Sequence, residues 1–230
     1  MVPAEVWERT FQLWPSSAVS GVCFAIDVDG RQYAATAAHV VAGVAPDELT
    51  VWRNDRRESF GASRIWTAAA ADVAVISLGR QLAPPHLTLP LTRNGMVYGQ
   101  EVYFLGFPFG MRWPVQLHQG QPIPLVKHAV VSGEAEFERG HRVLLLDGHN
   151  NPGFSGGPVV AAPGGRGKVQ ALGIVSGFRS IASPVTDSSG AALGTVLANT
   201  GLMVVEPIEV AIEGARALGD GYPITEDGPA

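Results

Sequence analysis

Along the 230-residue chain the apolar positions fall into short runs separated by Gly, Pro, Asp and Asn, a pattern that predicts many brief strands and few helices. Over residues 19–41 an apolar run leads to the turn Asp27-Val28-Asp29-Gly30 and then to Gln32-Tyr33-Ala34-Ala35-Thr36, a hairpin whose second arm delivers His39. Two more strands are predicted over 48–52 and 63–66, and Asp72 introduces another over 73–78. Pro84-Pro85 and Thr92-Arg93-Asn94-Gly95 mark a crossing between halves. The second half opens on 99–108, passes through an irregular stretch at 109–128 rich in Gly and Pro, and resumes over 129–137, 142–147, 159–162, 169–176, 195–197 and 201–205. Helical spacing occurs at the two ends. Val6, Trp7, Phe11 and Leu13 predict a short helix within residues 3–13, stopped by Pro15. Pro207 stands at the first turn of a predicted helix over 207–218 that carries Ile208, Ala211, Ile212 and Ala215 on one face. Residues 220–230 read as a loose polar tail.

Composition narrows the class. Hydrophobic residues make up 46% and charged residues 16%, and with 28 Gly and 17 Pro the chain has the profile of an all-β protein. A net charge of −5 offers no basic surface for nucleic acid, so a protein or small-molecule substrate is expected. Cys23 is the only cysteine. It can form no intrachain disulfide, which fits a reducing compartment, and in Val22-Cys23-Phe24-Ala25-Ile26 it reads as a small buried hydrophobe. The first nine residues hold early acids and no apolar core of signal-peptide length, and no apolar run reaches membrane-spanning length. The expectation is a cytoplasmic protein without membrane contact.

The candidate chemistry lies in Asn151-Pro152-Gly153-Phe154-Ser155-Gly156-Gly157-Pro158. A serine hydroxyl needs a base to become a nucleophile, and the oxyanion its attack creates needs preorganised donors. Glycines around Ser155 permit backbone angles that could aim the amides of Gly153 and Ser155 into one pocket. The stretch also fits the nucleophile elbow of α/β-hydrolases, but that fold places its histidine after the serine, and the last histidine here is His149. The base is therefore upstream, where Thr36-Ala37-Ala38-His39-Val40 follows a predicted strand. Asp47, Asp55 and Asp72 are candidates for the third member. Asp47 and Asp55 sit among turn residues, where aspartate bonds its own backbone, while Asp72 at a strand's start could orient the imidazole. Asp72 is the choice.

The order His39, Asp72, Ser155 and the motif Gly153-Phe154-Ser155-Gly156-Gly157-Pro158 resemble the trypsin-like serine peptidase family, closer to its bacterial HtrA-like branch than to the secreted animal enzymes. The resemblance spans roughly residues 18–205. It implies two six-stranded antiparallel β-barrels of chymotrypsin type with a short N-terminal helix and a C-terminal helix. The corresponding division is an N-terminal segment (1–17), a first barrel (18–98), a second barrel (99–206), a closing helix (207–219) and a flexible tail (220–230), without a PDZ-like domain. The implied activity is that of a serine endopeptidase with an acyl-enzyme intermediate and no metal or other cofactor; His86, His118, His128, His141 and His149 lack paired metal-ligand spacing. By the same resemblance His149 lies near the base of the specificity pocket, Ser176, Gly177 and Phe178 form the edge that pairs with substrate, and Gly201 helps form the opposite wall. No aspartate stands at 149, which disfavours a preference for Lys or Arg. Phe178 would narrow the pocket toward small apolar side chains, and His149 is either a receptor for an acidic side chain or a wall residue tied to backbone. Phe154 occupies the position where zymogen-type enzymes carry an aspartate, so activation through a freshly cut N-terminus is not expected. The enzyme is then competent as made or gated by an activating protein partner. A catalytically silent binding module of the same fold and an esterase are the alternatives.

Overall fold

The structure is a computed structural model that describes residues 2–15, 20–113, 120–137 and 140–226. A helix α1 (Ala4–Trp7) precedes β1 (Thr10–Trp14), β2 (Gly21–Val28), β3 (Arg31–Thr36), β4 (Thr50–Arg53), β5 (Arg56–Ser59), β6 (Ile65–Thr67) and β7 (Ala74–Ser77). The second half contains β8 (Glu101–Gly106), β9 (Leu125–Glu136), β10 (Arg142–Asp147), β11 (Pro158–Ala161), β12 (Gln170–Thr186) and β13 (Ala192–Pro207), then helix α2 (Ile208–Leu218) and β14 (Tyr222–Pro223). The fold is chymotrypsin-like, with the two helices at the two ends. The first half is an eight-stranded antiparallel sheet in the order β5-β4-β1-β2-β3-β7-β6, with β14 added against β3. The second closes as a six-stranded barrel, β10-β13-β12-β11-β8-β9.

The first sheet has more strands than expected because both ends of the chain join it. The predicted N-terminal helix lasts one turn. Residues 10–14 instead form β1, whose Phe11 and Leu13 are fully buried and whose Arg9 neighbour donates to Asp27 Oδ2 at 2.6 Å and to the carbonyls of Leu87 and Ala25. The tail expected to be loose is tied down through residue 225. Tyr222 pairs with Gln32, Asp220 bonds Ser77, and the Thr225 amide donates to Gln81 Oε1 at 3.0 Å. The irregular stretch at 109–128 is shorter than read, since β9 starts at Leu125; its residues 114–119 fall outside the described residues.

The apolar pattern is satisfied in three clusters. One fills the first sheet around Phe11, Cys23, Ile76 and Leu82, and another fills the barrel around Phe104, Leu146, Phe154 and Met203. The third joins Phe24, Val75, Leu105 and Ile174 to Ile208, Ala211 and Ala215 of α2, so the closing helix seals the seam between halves. Gly214 lets α2 approach so closely that an added Cβ would lie 2.3 Å from Trp66. Cys23 is fully buried, and burial pushes its thiol pKa up to about 12. Among the described residues no helix is long and apolar enough to cross a membrane.

Candidate active site

His39 stands in a one-turn 3-10 helix (Ala38–Val40) just after β3, and Asp72 lies just before β7, the neighbour of β3. Because β3 and β7 pair from Thr36↔Ala74 onward, the two side chains emerge at the same end of the sheet. His39 Nδ1 is 2.7 Å from Asp72 Oδ2, and the His39 backbone N–H donates to Asp72 Oδ1 at 2.9 Å. The carboxylate accepts the Nδ1 proton, so the neutral ring leaves the Nε2 lone pair free to accept a proton. A third donor is the Ser176 hydroxyl, 2.7 Å from Asp72 Oδ2. Burial raises the Asp72 pKa, but the bonds from His39 and Ser176 outweigh it and hold the group below the ordinary carboxylate range. The bond to Asp72 raises the His39 pKa above its usual value, against partial desolvation.

Ser155 sits in the turn between β10 and β11. Phe154, buried edge-on against Phe104 with ring centres 4.9 Å apart, anchors that turn in the barrel core. The Ser155 carbonyl accepts from Val22 N–H of the first sheet at 2.9 Å, and Gly156 N–H donates to Val175 at 2.8 Å. The serine is thus fixed to both halves of the molecule. At Gly156, φ is 85° and a Cβ would meet the Val22 oxygen at 2.1 Å; at Gly153, φ is 102° and a Cβ would meet the Phe107 oxygen at 2.3 Å. Neither position can hold another residue without moving backbone.

The Pro152–Gly153 peptide has a definite orientation. Phe109 N–H donates to the Pro152 carbonyl at 3.0 Å. In a trans peptide the N–H of Gly153 points opposite to that carbonyl, so it is turned away from Phe109. No described residue accepts from the N–H of Gly153 or of Ser155. Phe109 itself has φ 54°, an unfavourable angle for a side-chain-bearing residue, and its ring is exposed. His39, Val40, Gly21, Pro152, Gly153 and Ser155 line one cavity of about 280 Å³. A larger cavity beside Asp27 and Arg216 shares no residue with it. The Ser155 hydroxyl donates to the Ser176 carbonyl at 3.4 Å, and no hydrogen bond joins it to His39.

Of the residues expected around the specificity pocket, Gly177 and Phe178 lie on β12 opposite Val204 and Met203, and Phe178 is 38% exposed. Gly201 accepts from Gly148 N–H at 2.8 Å, and Asn199 Nδ2 donates to the Asn150 carbonyl at 2.8 Å, which stitches the segment leading to Ser155 onto β13. His149 is exposed, and its ring has no hydrogen-bond partner among the described residues. Asp47 and Asp55 are exposed, and neither takes the place of Asp72 as hydrogen-bond partner of His39; Asp55 takes φ 56° in the β4–β5 turn.

Three contributors escaped the sequence reading. Lys127 of β9 bonds the His149 carbonyl and Asn151 Oδ1, the latter at 2.9 Å, bracing the loop before the serine. Glu206, 4% exposed, accepts from Asp72 N–H at 3.1 Å and from His141 Nε2 at 2.5 Å, so a buried carboxylate stands behind Asp72. An acid ending the apolar run Met203-Val204-Val205 was the available signal. The role of Phe109 N–H had no signal, being a backbone contact between residues far apart in sequence.

Residues 19–170 match the trypsin-like peptidase domain family. Among solved structures, a variant of the HtrA-type protease AlgW with a tripeptide is 20% identical with a TM-score of 0.61; it covers 94% of this chain, which spans only 61% of the AlgW chain's length. The active form of the Rv3671c protease from M. tuberculosis is 19% identical over 96% of this chain and 88% of its own, with a TM-score of 0.63. The MamO protease domain from Magnetospirillum magneticum, in its apo form, is 18% identical over 91% and 97%, with a TM-score of 0.53. At such identities the likeness is one of fold. No curated protein matches significantly.

Proposed function

The chain belongs to the trypsin-like peptidase family, and from that premise we propose that it is a serine endopeptidase whose triad is His39, Asp72 and Ser155. The observation that carries the reading is the imidazole of His39, held by Asp72 through Nδ1 at 2.7 Å and lining the same cavity as Ser155. His39 Nε2 takes the proton of the Ser155 hydroxyl as the oxygen attacks a peptide carbonyl, and Asp72 stabilises the imidazolium. The unpartnered amides of Gly153 and Ser155 receive the oxyanion. The imidazolium then protonates the leaving amine, and water releases the acyl group by the reverse proton path. The substrate is a protein or peptide.

The test is to label the purified chain with a fluorophosphonate and to follow its turnover of a peptide mixture. Stoichiometric labelling and cleavage, both abolished in Ser155→Ala, are expected; cleavage that survives Ser155→Ala would overturn the assignment. One observation favours a gated version of the same enzyme: the Ser155 hydroxyl faces the Ser176 carbonyl instead of His39. In that version an activating partner or the substrate itself turns the hydroxyl toward Nε2. Robust turnover by the chain alone would dismiss the need for a partner.

A further inference from the structure

Asp72 is held by more than its own sheet. Its carboxylate accepts from the Ser176 hydroxyl of β12 at 2.7 Å, and its backbone N–H donates to Glu206 Oε1 of β13 at 3.1 Å. Both partners belong to the barrel, so the barrel fixes the side chain and the main chain of a residue in the other half.

The turn that carries Asp72 has little else to hold it. After β6 ends at Thr67 come Ala68-Ala69-Ala70-Ala71, four residues without a polar side chain, and Ala69 and Ala70 are exposed. Ala68 N–H donates to the Val73 carbonyl at 3.0 Å. Among the described residues, the Glu206 carboxylate is the one side chain that bonds the backbone of residues 68–72. Without it the Asp72 amide loses its partner, and the carboxylate goes where the turn goes.

A buried carboxylate needs a partner of its own. For Glu206 it is His141, whose Nε2 lies 2.5 Å from Oε2. That bond ties one Glu206 oxygen and leaves the other aimed at Asp72. His141 stands just before β10, where its carbonyl accepts from Phe137 N–H at 2.7 Å. With Trp66, the alanine turn and Glu213 of α2 it borders a cavity of about 250 Å³, separate from the one lined by His39 and Ser155. As a stabilising device the pair is a poor choice. Apolar side chains of the same volume would hold the seam at least as well, since a buried ion pair gives up its hydration. What an apolar pair cannot do is accept from the Asp72 amide.

We propose that Glu206, anchored by His141, is a positioning residue for the proposed triad: it sets the place of Asp72 and, through Asp72, the ring of His39. This inference rests on the endopeptidase reading above. The contacts run from His141 to Glu206, from Glu206 to the Asp72 amide, and from Asp72 Oδ2 to His39 Nδ1. Because neither Glu206 nor His141 lines the cavity of Ser155, the pair acts on the chemical step and not on substrate binding.

The test is steady-state kinetics on the full chain across pH, with active sites counted by fluorophosphonate labelling taken to completion, so that rates refer to folded enzyme. Glu206→Met removes the acceptor and fills its space. It should lower kcat on the order of tenfold with KM unchanged. It should also move the acid limb of the kcat/KM profile to lower pH, because a displaced Asp72 no longer raises the His39 pKa as far. Glu206→Gln keeps an acceptor for the amide, with the His141 proton moved to Nδ1, and should restore both kcat and the acid limb to near their wild-type values. His141→Phe takes away the anchor and should give a smaller loss of the same kind. Combined with Glu206→Met it should cost nothing more, since His141 acts only through Glu206. An acid limb unmoved in Glu206→Met would overturn the inference, and so would equal shifts in the Gln and Met variants, the mark of charge alone. Should Glu206→Met yield no folded chain, wild-type kcat and acid limb in His141→Phe would overturn it instead. Each of these results leaves the endopeptidase reading intact, whereas the absence of any Ser155-dependent cleavage by the unaltered chain would overturn both.

Discussion

The imidazole of His39 is bonded through Nδ1 to a single carboxylate, Asp72, and that bond against partial burial sets how the proposed site responds to pH. Its bond to Asp72 raises its pKa above the ordinary imidazole value, while the proposed catalysis needs it unprotonated. Turnover should therefore fall as pH drops through a point above the usual 6.5, seen as the acid limb of a kcat/KM profile; an inflection below 6.5 would contradict the geometry. Asp72→Asn would favour the wrong tautomer and should lower kcat at neutral pH by about ten-thousandfold. The linkage to stability runs the other way for the carboxylate. Its folded pKa is depressed, so its contribution is present above the unfolded carboxylate's pKa and is lost as pH falls through the folded value. Phe109 offers a second experiment at this scale. Phe109→Gly keeps the N–H that orients the Pro152–Gly153 peptide and relieves a φ of 54°, whereas Phe109→Pro removes the N–H and cannot take that angle. The glycine variant should retain activity, and the proline variant should lose on the order of a hundredfold in kcat with KM less affected, the signature of a lost oxyanion donor.

At the scale of elements, most strands that bury a face were legible in the sequence, while the exposed β5 and the outer part of β12 were missed. The apolar run of β2 and the hairpin to β3 could be read directly, because each residue there meets a core. So could α2, whose Ile208, Ala211 and Ala215 are buried as the helical spacing requires. The long ribbon of β12 and β13 was cut short at Ser176 in the reading, since beyond it Phe178 to Val185 packs on no core and shows no alternation of burial. β1 was read as helix because its apolar residues fit both periods over so short a span, and pairing with β2 and β4 decided the matter. The motifs around His39, Asp72 and Ser155 were legible because the glycines and the order carry the signal, while Glu206, Lys127 and Phe109 act through contacts across the fold. β1 also depends on a fully buried cation. Arg9→Met would leave Asp27 without its 2.6 Å partner and two carbonyls without donors. A loss of about 3 kcal/mol is expected from urea unfolding; an unchanged midpoint would mean that β1 is held by its apolar face alone.

Across the whole molecule, the two halves meet where the proposed chemistry is. His39 and Asp72 belong to the first sheet and Ser155 to the barrel, and the bond from Val22 to the Ser155 carbonyl, with the cluster sealed by α2, sets their separation. Loosening that seam would misplace Ser155 relative to its proposed base, His39, without disturbing either half. The end of the chain takes part in the same construction. Arg31 donates to the Gly221 carbonyl across 190 positions, and Tyr222 pairs with Gln32 on the strand that leads to His39. A nascent chain therefore cannot finish its first sheet when that sheet's other strands emerge from the ribosome. The first sheet is complete only once residues 222 and 223 have been made, because they pair with Arg31 and Gln32 at the end of β3 opposite the one that leads to His39.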